Sequence, residues 1–314
     1  MSVQLVREAS TRQQEAVDVK PMSVHIGAEI AGVDLSRPLP PEQVSAIRAA
    51  LVRWKVVFFR DQSLDHRRHV ALARQFGETT AGHVVFGSDG EYPQIYAVAK
   101  QRKANRFQGP ELFRPWSGWH TDVTAAINPP AASILRGEVV PPYGGDTQFT
   151  NLVAAFDALS KPMQAFVEGL RGIHRFAPPQ GVDATPEYQE LVRKRILVSE
   201  HPLVRVHPES GERALFVSPS FLKSIVGLSA RESQVLLEFL WEHVVRPEFT
   251  VRFRWEPGSV AFWDNRATAH LAPRDIFDSD FDRQFYRVTL VGDVPVGTDG
   301  TPSRALEGDP IVAV

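Results

Sequence analysis

The sequence contains no cysteine. Disulfides, thiolate zinc sites, iron–sulfur clusters and cysteine nucleophiles are therefore excluded, and any metal must be held by histidine and carboxylate. It also lacks any run approaching 18 apolar residues, so no membrane span is expected. An apolar stretch is missing from the first 19 residues too, where Arg7, Glu8, Arg12 and Glu15 stand instead. No signal peptide is expected there, and a cytoplasmic location is the default. Charge of one sign is scarce: the formal net charge is −2, which makes no electrostatic case for nucleic acid or an anionic membrane. There is no internal repeat, low-complexity segment or linker. The 314 residues suit a tail over residues 1–20, one large domain over 21–296 and a C-terminal extension over 297–314.

What is present reads as helices early and short strands late. Pro40 and Pro41 followed by Glu42 open a helix on which Val44, Ile47, Leu51 and Trp54 recur at helical spacing. Val56, Val57, Phe58 and Phe59 form a short buried strand, and a second helix over 65–76 stops at Gly77. Residues 79–118 are irregular and carry a basic run, Lys100, Arg102, Lys103 and Arg106. That run is either a solvated loop or part of an active-site lid. Strand-like segments follow at 131–135, 147–150, 203–206, 214–217, 250–255, 260–263 and 287–291. Two helices interrupt them. One covers 161–173, with Met163, Phe166, Val167 and Leu170 on one face. The other covers 229–245, starts with a Ser229-to-Glu232 capping box and buries Val235, Leu236, Phe239 and Leu240. Residues 177–200 are a second lid or a surface excursion. The order suggests a mainly β protein, a sandwich or jelly roll flanked by helices.

The chemistry centres on Trp119-His120-Thr121-Asp122. Residues i and i+2 at a strand end point to one face, so His120 and Asp122 can reach one ion. A third ligand must come from elsewhere, and His270, 148 residues past Asp122, is the best candidate. Two histidines and one carboxylate leave metal positions open, the arrangement of non-heme Fe(II) oxygenases. A metal that activates oxygen needs an electron source. A 2-oxo acid is the usual one in this ligand class, and its distal carboxylate suits an arginine. Arg283 and Arg287 lie 13 and 17 residues after His270, and their four-residue spacing places them on one strand face.

These segments resemble the Fe(II)/2-oxoglutarate-dependent taurine dioxygenase-like family, which includes alkylsulfatases and phenoxyalkanoate dioxygenases. The resemblance runs from about residue 22 to 296. It is carried by Ile26-Gly27-Ala28-Glu29-Ile30, by Val56 through Gln62, by Trp119 through Thr124, and by Gly144-Gly145-Asp146-Thr147. Further on it is carried by His201-Pro202-Leu203-Val204-Arg205, by Trp263-Asp264-Asn265-Arg266 through His270, and by Arg283 to Arg287 followed by Gly292-Asp293. The resemblance implies a double-stranded β-helix, a cupin-like jelly roll with helices packed around it. It implies Fe(II) held by His120, Asp122 and His270, with 2-oxoglutarate and O2 as cosubstrates. Thr147 and Arg283 are then expected to hold the distal carboxylate of 2-oxoglutarate. Arg287 is expected to meet the substrate's anionic group or to lie beside the 2-oxo acid. His83 and the Val123 backbone N–H are expected on that anion, although His83 stands one residue off the family spacing and is otherwise a surface-loop histidine. The reaction implied is hydroxylation of an unactivated C–H, with succinate and CO2 released.

The sequence departs from taurine enzymes where they bind the substrate amine. Phe86 and Pro115, with Trp116 next, replace a tyrosine and an acid, and Ala125 and Ala126 stand where a bulky aromatic narrows the pocket. Burying an ammonium without a partner is costly. An anion with an apolar body is therefore expected: an alkyl sulfate, a longer sulfonate or an aryloxy acid. Phe221 either lines the pocket or belongs to the core. The stretch 107–116 is long enough to cover such a substrate. The alternatives are a biosynthetic oxygenase acting on a carboxylate-bearing intermediate, and a non-catalytic binding protein. The expected partner is a small molecule, with no nucleic acid or membrane, and a homo-oligomer, dimer or tetramer, is expected.

Overall fold

The computed structural model describes residues 17–88, 90–99, 107–108, 113–176 and 183–314. It is mainly β with helices packed outside. The largest sheet has seven strands in the order Asp18–Pro21, Ala28–Ala31, Val56–Phe59, Val260–Asp264, Ala132–Val139, Gln284–Thr289 and Tyr96–Ala99. Only the pairing of Ala28–Ala31 with Val56–Phe59 is parallel. A three-stranded sheet, Thr250–Phe253, Thr147–Asn151 and Thr268–Leu271, faces it. The two sheets remain separate ladders among the described residues, with no closed barrel.

Strand periodicity sorts the side chains into layers. Val57, Phe59, Phe262, Ile134 and Val288 point outward against two helices, Pro41–Trp54 and His66–Arg74. Their neighbours Val56, Phe58, Leu135, Trp263 and Phe285 point inward and meet Phe149 and Phe253 of the smaller sheet. Phe58 stacks on Phe253 at 4.0 Å and meets Phe149 edge-on at 5.7 Å, which closes the floor between the sheets. Strands buried on both faces read as unbroken apolar runs, hence Val-Val-Phe-Phe at 56–59. Leu152, Phe156, Leu237, Leu240 and Ala269 form a third layer beneath the smaller sheet.

The expected helix starts hold. Pro41 opens the first helix, Asp65 caps the second by accepting from the Arg68 N–H at 2.7 Å, and the Ser229–Glu232 capping box is formed at both ends. Three expectations need correction. The helix at 161 stops at Glu168, before Gly169, and Arg171–Arg175 is instead a strand between Val198–Pro202 and Leu222–Ile225. Tertiary pairing overrides local propensity there. The Ala230–Val244 helix buries Ser233, Leu237, Leu240 and Val244, whereas Val235 and Phe239 are 49% and 45% exposed. Within residues 177–200 lies a helix, Pro186–Lys194, whose Thr185 cap and Pro186 start were legible signals. Residues 1–16, the larger part of the expected tail, lie outside the described residues, while Asp18–Pro21 pairs with Ala28–Ala31. No described helix is long and apolar enough to cross a membrane.

The buried stripe of the Ala230–Val244 helix gives a direct check. Leu240→Ala should cost about 2–5 kcal/mol of unfolding free energy, because it opens a cavity. Phe239→Ala should stay within about 0.5 kcal/mol, as surface changes do. Denaturant unfolding of both variants measures this, and the reverse ranking would restore the other helix face.

Candidate metal centre and its cavity

His120 and His270 are locked side by side by reciprocal backbone hydrogen bonds of 2.9 and 2.7 Å. This single bridge extends the smaller sheet, and the two rings lie 4.2 Å apart. The chain then turns sharply at Val123, which sits at φ 46, a costly conformation for a β-branched residue. Asp122 therefore stands in a turn just beyond the bridge. One ligand atom each from His120, Asp122 and His270 lie within 4.8 Å of one another.

Hydrogen-bond partners orient two of the three donors, His120 and Asp122. His120 Nδ1 lies 3.0 Å from the Gly118 carbonyl, which can only accept, so Nδ1 carries the proton and Nε2 keeps its lone pair. Ser133 Oγ donates to Asp122 Oδ2 at 2.7 Å, and Arg287 Nη1 donates to Oδ1 at 2.5 Å. Asn265 Nδ2 donates to Ser133 Oγ at 2.9 Å, and Trp263 Nε1 donates to Asn265 Oδ1 at 2.9 Å. Burial alone would push the Asp122 carboxyl up. The Arg287 guanidinium, with smaller help from both imidazoles and Ser133, holds it well below the usual carboxylate range. Burial, reinforced by His120, pushes the His270 imidazole down to about 3, and burial lowers His120 as well. Two neutral imidazoles and an ionised carboxylate thus converge, and the buried His270 Nδ1 has no hydrogen-bond partner among the described residues. This donor set fits a divalent iron.

The centre opens on a cavity of about 280 Å³. Arg283, just before the Gln284–Thr289 strand, and Arg287 within it both reach this space, as their shared parity predicts. Arg283 is buried, donates from Nε to the Gly145 carbonyl at 3.1 Å and lies 3.8 Å over the Phe285 ring. Gly145, at φ 64, leaves room for it: a Cβ there would come within 3.0 Å of Arg283 Cδ. Among the described residues no carboxylate is within ion-pair distance of Arg283. Burial lowers its guanidinium to about 10, only partly offset by Asp275 and Asp146. Thr147 Oγ1 accepts from Trp255 Nε1 at 3.0 Å, and that orients the hydroxyl on the same wall.

On the opposite side, His83 Nδ1 accepts from the Val85 and Phe86 N–H groups at 3.1 Å each, which puts the ring proton on Nε2. The ring stacks on Phe86 at 4.4 Å and joins Val123, Phe86 and Phe221 on the cavity wall. The Val123 N–H has no acceptor among the described residues. Phe221 both lines the cavity and packs in an apolar cluster behind it.

Trp116 is a correction. A tight turn over 114–119 directs its ring onto Trp241 at 6.0 Å, away from the cavity. Pro115 is exposed in that turn, and Ala125 and Ala126 pack behind Val123, off the cavity wall. Sequence reasoning missed Ser133, Asn265, Tyr96 and Phe176. Asn265 sat inside a quoted motif, whereas nothing in the chain singles out Ser133. The two expected lids touch: Phe107–Gln108 pairs with Asp183–Ala184. The basic run at 100–106 lies outside the described residues.

Residues 18–289 match the family model described as taurine catabolism dioxygenase TauD, TfdA family. An α-ketoglutarate-dependent sulfate ester dioxygenase of Pseudomonas putida is 42% identical over 92% of this chain and 94% of that protein. An alkylsulfatase of Acinetobacter baylyi is 37% identical over 92% of this chain and 90% of that protein. A crystal structure of a taurine dioxygenase from Burkholderia xenovorans superposes with a TM-score of 0.83 at 63% identity, covering 94% of this chain and 96% of that one.

The hydrogen-bond chain onto Asp122 makes its own prediction. Ser133→Ala removes the Oδ2 partner and should weaken Mn(II) binding about 10- to 100-fold, the usual effect of losing an outer partner of a ligand. Calorimetric titration of wild type and variant reads it, and equal affinities would show that Ser133 does not hold the carboxylate for a metal.

Proposed function

The chain belongs to the TauD, TfdA family of taurine catabolism dioxygenases, and from that premise we propose that it is an Fe(II)- and 2-oxoglutarate-dependent dioxygenase acting on an alkyl sulfate or alkanesulfonate. The facing sheets and the likeness to the solved taurine dioxygenase support a double-stranded β-helix. His120, Asp122 and His270 hold the iron, Arg283 and Thr147 the distal carboxylate of 2-oxoglutarate, and His83 Nε2–H, the Val123 N–H and Arg287 the substrate's anionic group. When bound, the iron and 2-oxoglutarate supply the oxidant that places one atom of O2 on a substrate carbon, releasing succinate and CO2. The protein's part is to bind, orient and keep water out. A carbon that bears both a new hydroxyl and a sulfate ester collapses: the hydroxyl loses its proton and becomes the aldehyde oxygen as the C–O bond to sulfate breaks and inorganic sulfate departs.

The observation that carries this reading is the charge balance of the cavity. Its only described ionised groups are Asp122, Arg283 and Arg287, an excess of one positive charge. A divalent cation raises that excess to three. A dianionic 2-oxo acid and a monoanionic substrate cancel it. Taurine carries an ammonium as well, and among the described residues no carboxylate other than Asp122 lines the cavity to receive it. The apolar walls, Phe86, Phe176 and Phe221, instead suit a hydrocarbon body. Names among the relatives point both ways, to sulfate esters and alkyl sulfates and to taurine, and the cavity favours the former.

Three measurements test this. His120→Ala and Asp122→Ala should abolish succinate formation with the fold retained. Arg283→Ala should raise the KM for 2-oxoglutarate by the equivalent of about 2–5 kcal/mol, as for a lost buried charge pair. A rise confined to the primary substrate would exchange the roles of Arg283 and Arg287. Across taurine, pentanesulfonate, hexyl sulfate and 2-ethylhexyl sulfate, kcat/KM should rise by about 0.8 kcal/mol per added methylene until the cavity fills. Taurine as the best substrate would overturn the assignment.

A further inference from the structure

The chain beyond residue 303 does more than cover the surface. Arg304–Glu307 adds a strand to Val198–Pro202. Residues 311–314 then leave that sheet and run between the two segments that carry the anion-facing groups. Asn128 grips Ile311 twice: its Oδ1 accepts the Ile311 N–H at 2.8 Å, and its Nδ2 donates to the Ile311 carbonyl at 2.9 Å. Thr79 grips Val314 twice: its carbonyl accepts the Val314 N–H at 2.9 Å, and its hydroxyl donates to the Val314 carbonyl at 3.0 Å. Thr80 bridges Ala313. Asn128 follows the strained turn at Val123, and Thr79-Thr80 leads directly into His83 and Phe86. The same segment therefore holds both.

Its one buried side chain points to the same role. Ile311 is 7% exposed and belongs to the apolar cluster that contains Val123, Phe176 and Phe221 and against which Phe86 packs, four residues of the cavity wall. Val312 beside it is 69% exposed. Further contacts brace the Val123 turn from behind. His201 Nε2 lies 2.9 Å from the Thr124 carbonyl and 3.1 Å from that of Ala126, while Nδ1 lies 2.7 Å from Ser303 Oγ, again on the C-terminal segment. None of these contacts involves His270, Thr147 or Arg283.

We propose that residues 311–314 are a substrate-selectivity strap: Asn128 and Thr79 latch it across the two loops, and Ile311 sets the spacing between the His83–Phe86 wall and the Val123 turn. The strap governs the fit of the primary substrate's anion and apolar body and leaves metal and 2-oxoglutarate binding untouched. This rests on the substrate class proposed above.

The test uses the full chain with Ile311→Ala, Asn128→Ala and, as a control, Val312→Ala. The KM for hexyl sulfate should rise at least tenfold in the first two and stay within twofold in the third. The KM for 2-oxoglutarate and the Kd for Mn(II) should not move in any of them. Amide hydrogen exchange, which needs no substrate, should accelerate at 79–87 and 123–128 and remain unchanged in Thr147–Asn151. A rise in the substrate KM alone, with faster exchange in the two loops, supports the strap. Substrate and 2-oxoglutarate constants rising together, or unchanged exchange in both loops, overturns it. If wild type turns over no sulfate or sulfonate, the substrate assignment fails, and exchange still decides whether the strap holds the loops.

Discussion

A carboxylate buried between two sheets is the constraint on which the rest depends. Asp122 is 2% exposed, and an unpaired charge there would cost several kcal/mol. It survives because Arg287 and Ser133 occupy its two oxygens, and both come from strands of the larger sheet. The histidines come from the smaller sheet and the bridge on its edge. The site is thus a contact between the two sheets, and their packing fixes its geometry. That explains why Phe58, Phe149, Phe253 and Trp263 fill the same layer: large rings set the sheet spacing on which ligand separation depends.

A second buried carboxylate holds the turn that delivers the ligands. Asp264 is fully buried, accepts two bonds from the Arg266 guanidinium at 2.8 and 2.7 Å, and faces His207 Nε2 at 2.9 Å. His207 Nδ1 accepts from the Glu209 and Ser210 N–H groups, so Nε2 donates to Asp264. Burial opposes ionisation, but these partners keep the group below the usual carboxylate range. The turn so fixed carries Asn265 toward Ser133 on one side and starts the strand of His270 on the other. One charged network thereby orients two of the three metal-facing groups without touching the cavity.

Much of this was legible in the sequence, and what was not has a physical pattern. Features set by spacing along the chain were readable: His120 and Asp122 two apart, Arg283 and Arg287 four apart, the Val-Val-Phe-Phe strand, and the Ser229 capping box. Features set by pairing across the chain were not. Arg171–Arg175 looks helical alone and becomes a strand because two partners flank it. The buried face of Ala230–Val244 differs by one position from the expected stripe, since Val235 and Phe239 have no layer to pack against. Trp116 looked like a pocket residue because of its place before His120, yet a tight turn points it at Trp241. Ser133 carries no local signal, and its role exists only where three strands converge.

The cavity's two halves are held by different means, and this bears on how such a site can vary. The metal and Arg283 side stands on paired strands, where a changed residue disturbs many hydrogen bonds at once. The His83 and Val123 side stands on loops joined by side-chain clamps and by one short run of chain. Loop conformations tied at a few points are cheaper to rearrange than sheet registers, which slip only by whole residues and reverse every side chain. On the roles proposed for these residues, chemistry common to many substrates therefore sits on the rigid half, and the groups that meet the part of the molecule that differs sit on the adjustable half. The division follows from where hydrogen bonds are plentiful, and it allows one metal centre to serve different anions through changes confined to Phe86, Val123 and the residues that brace them.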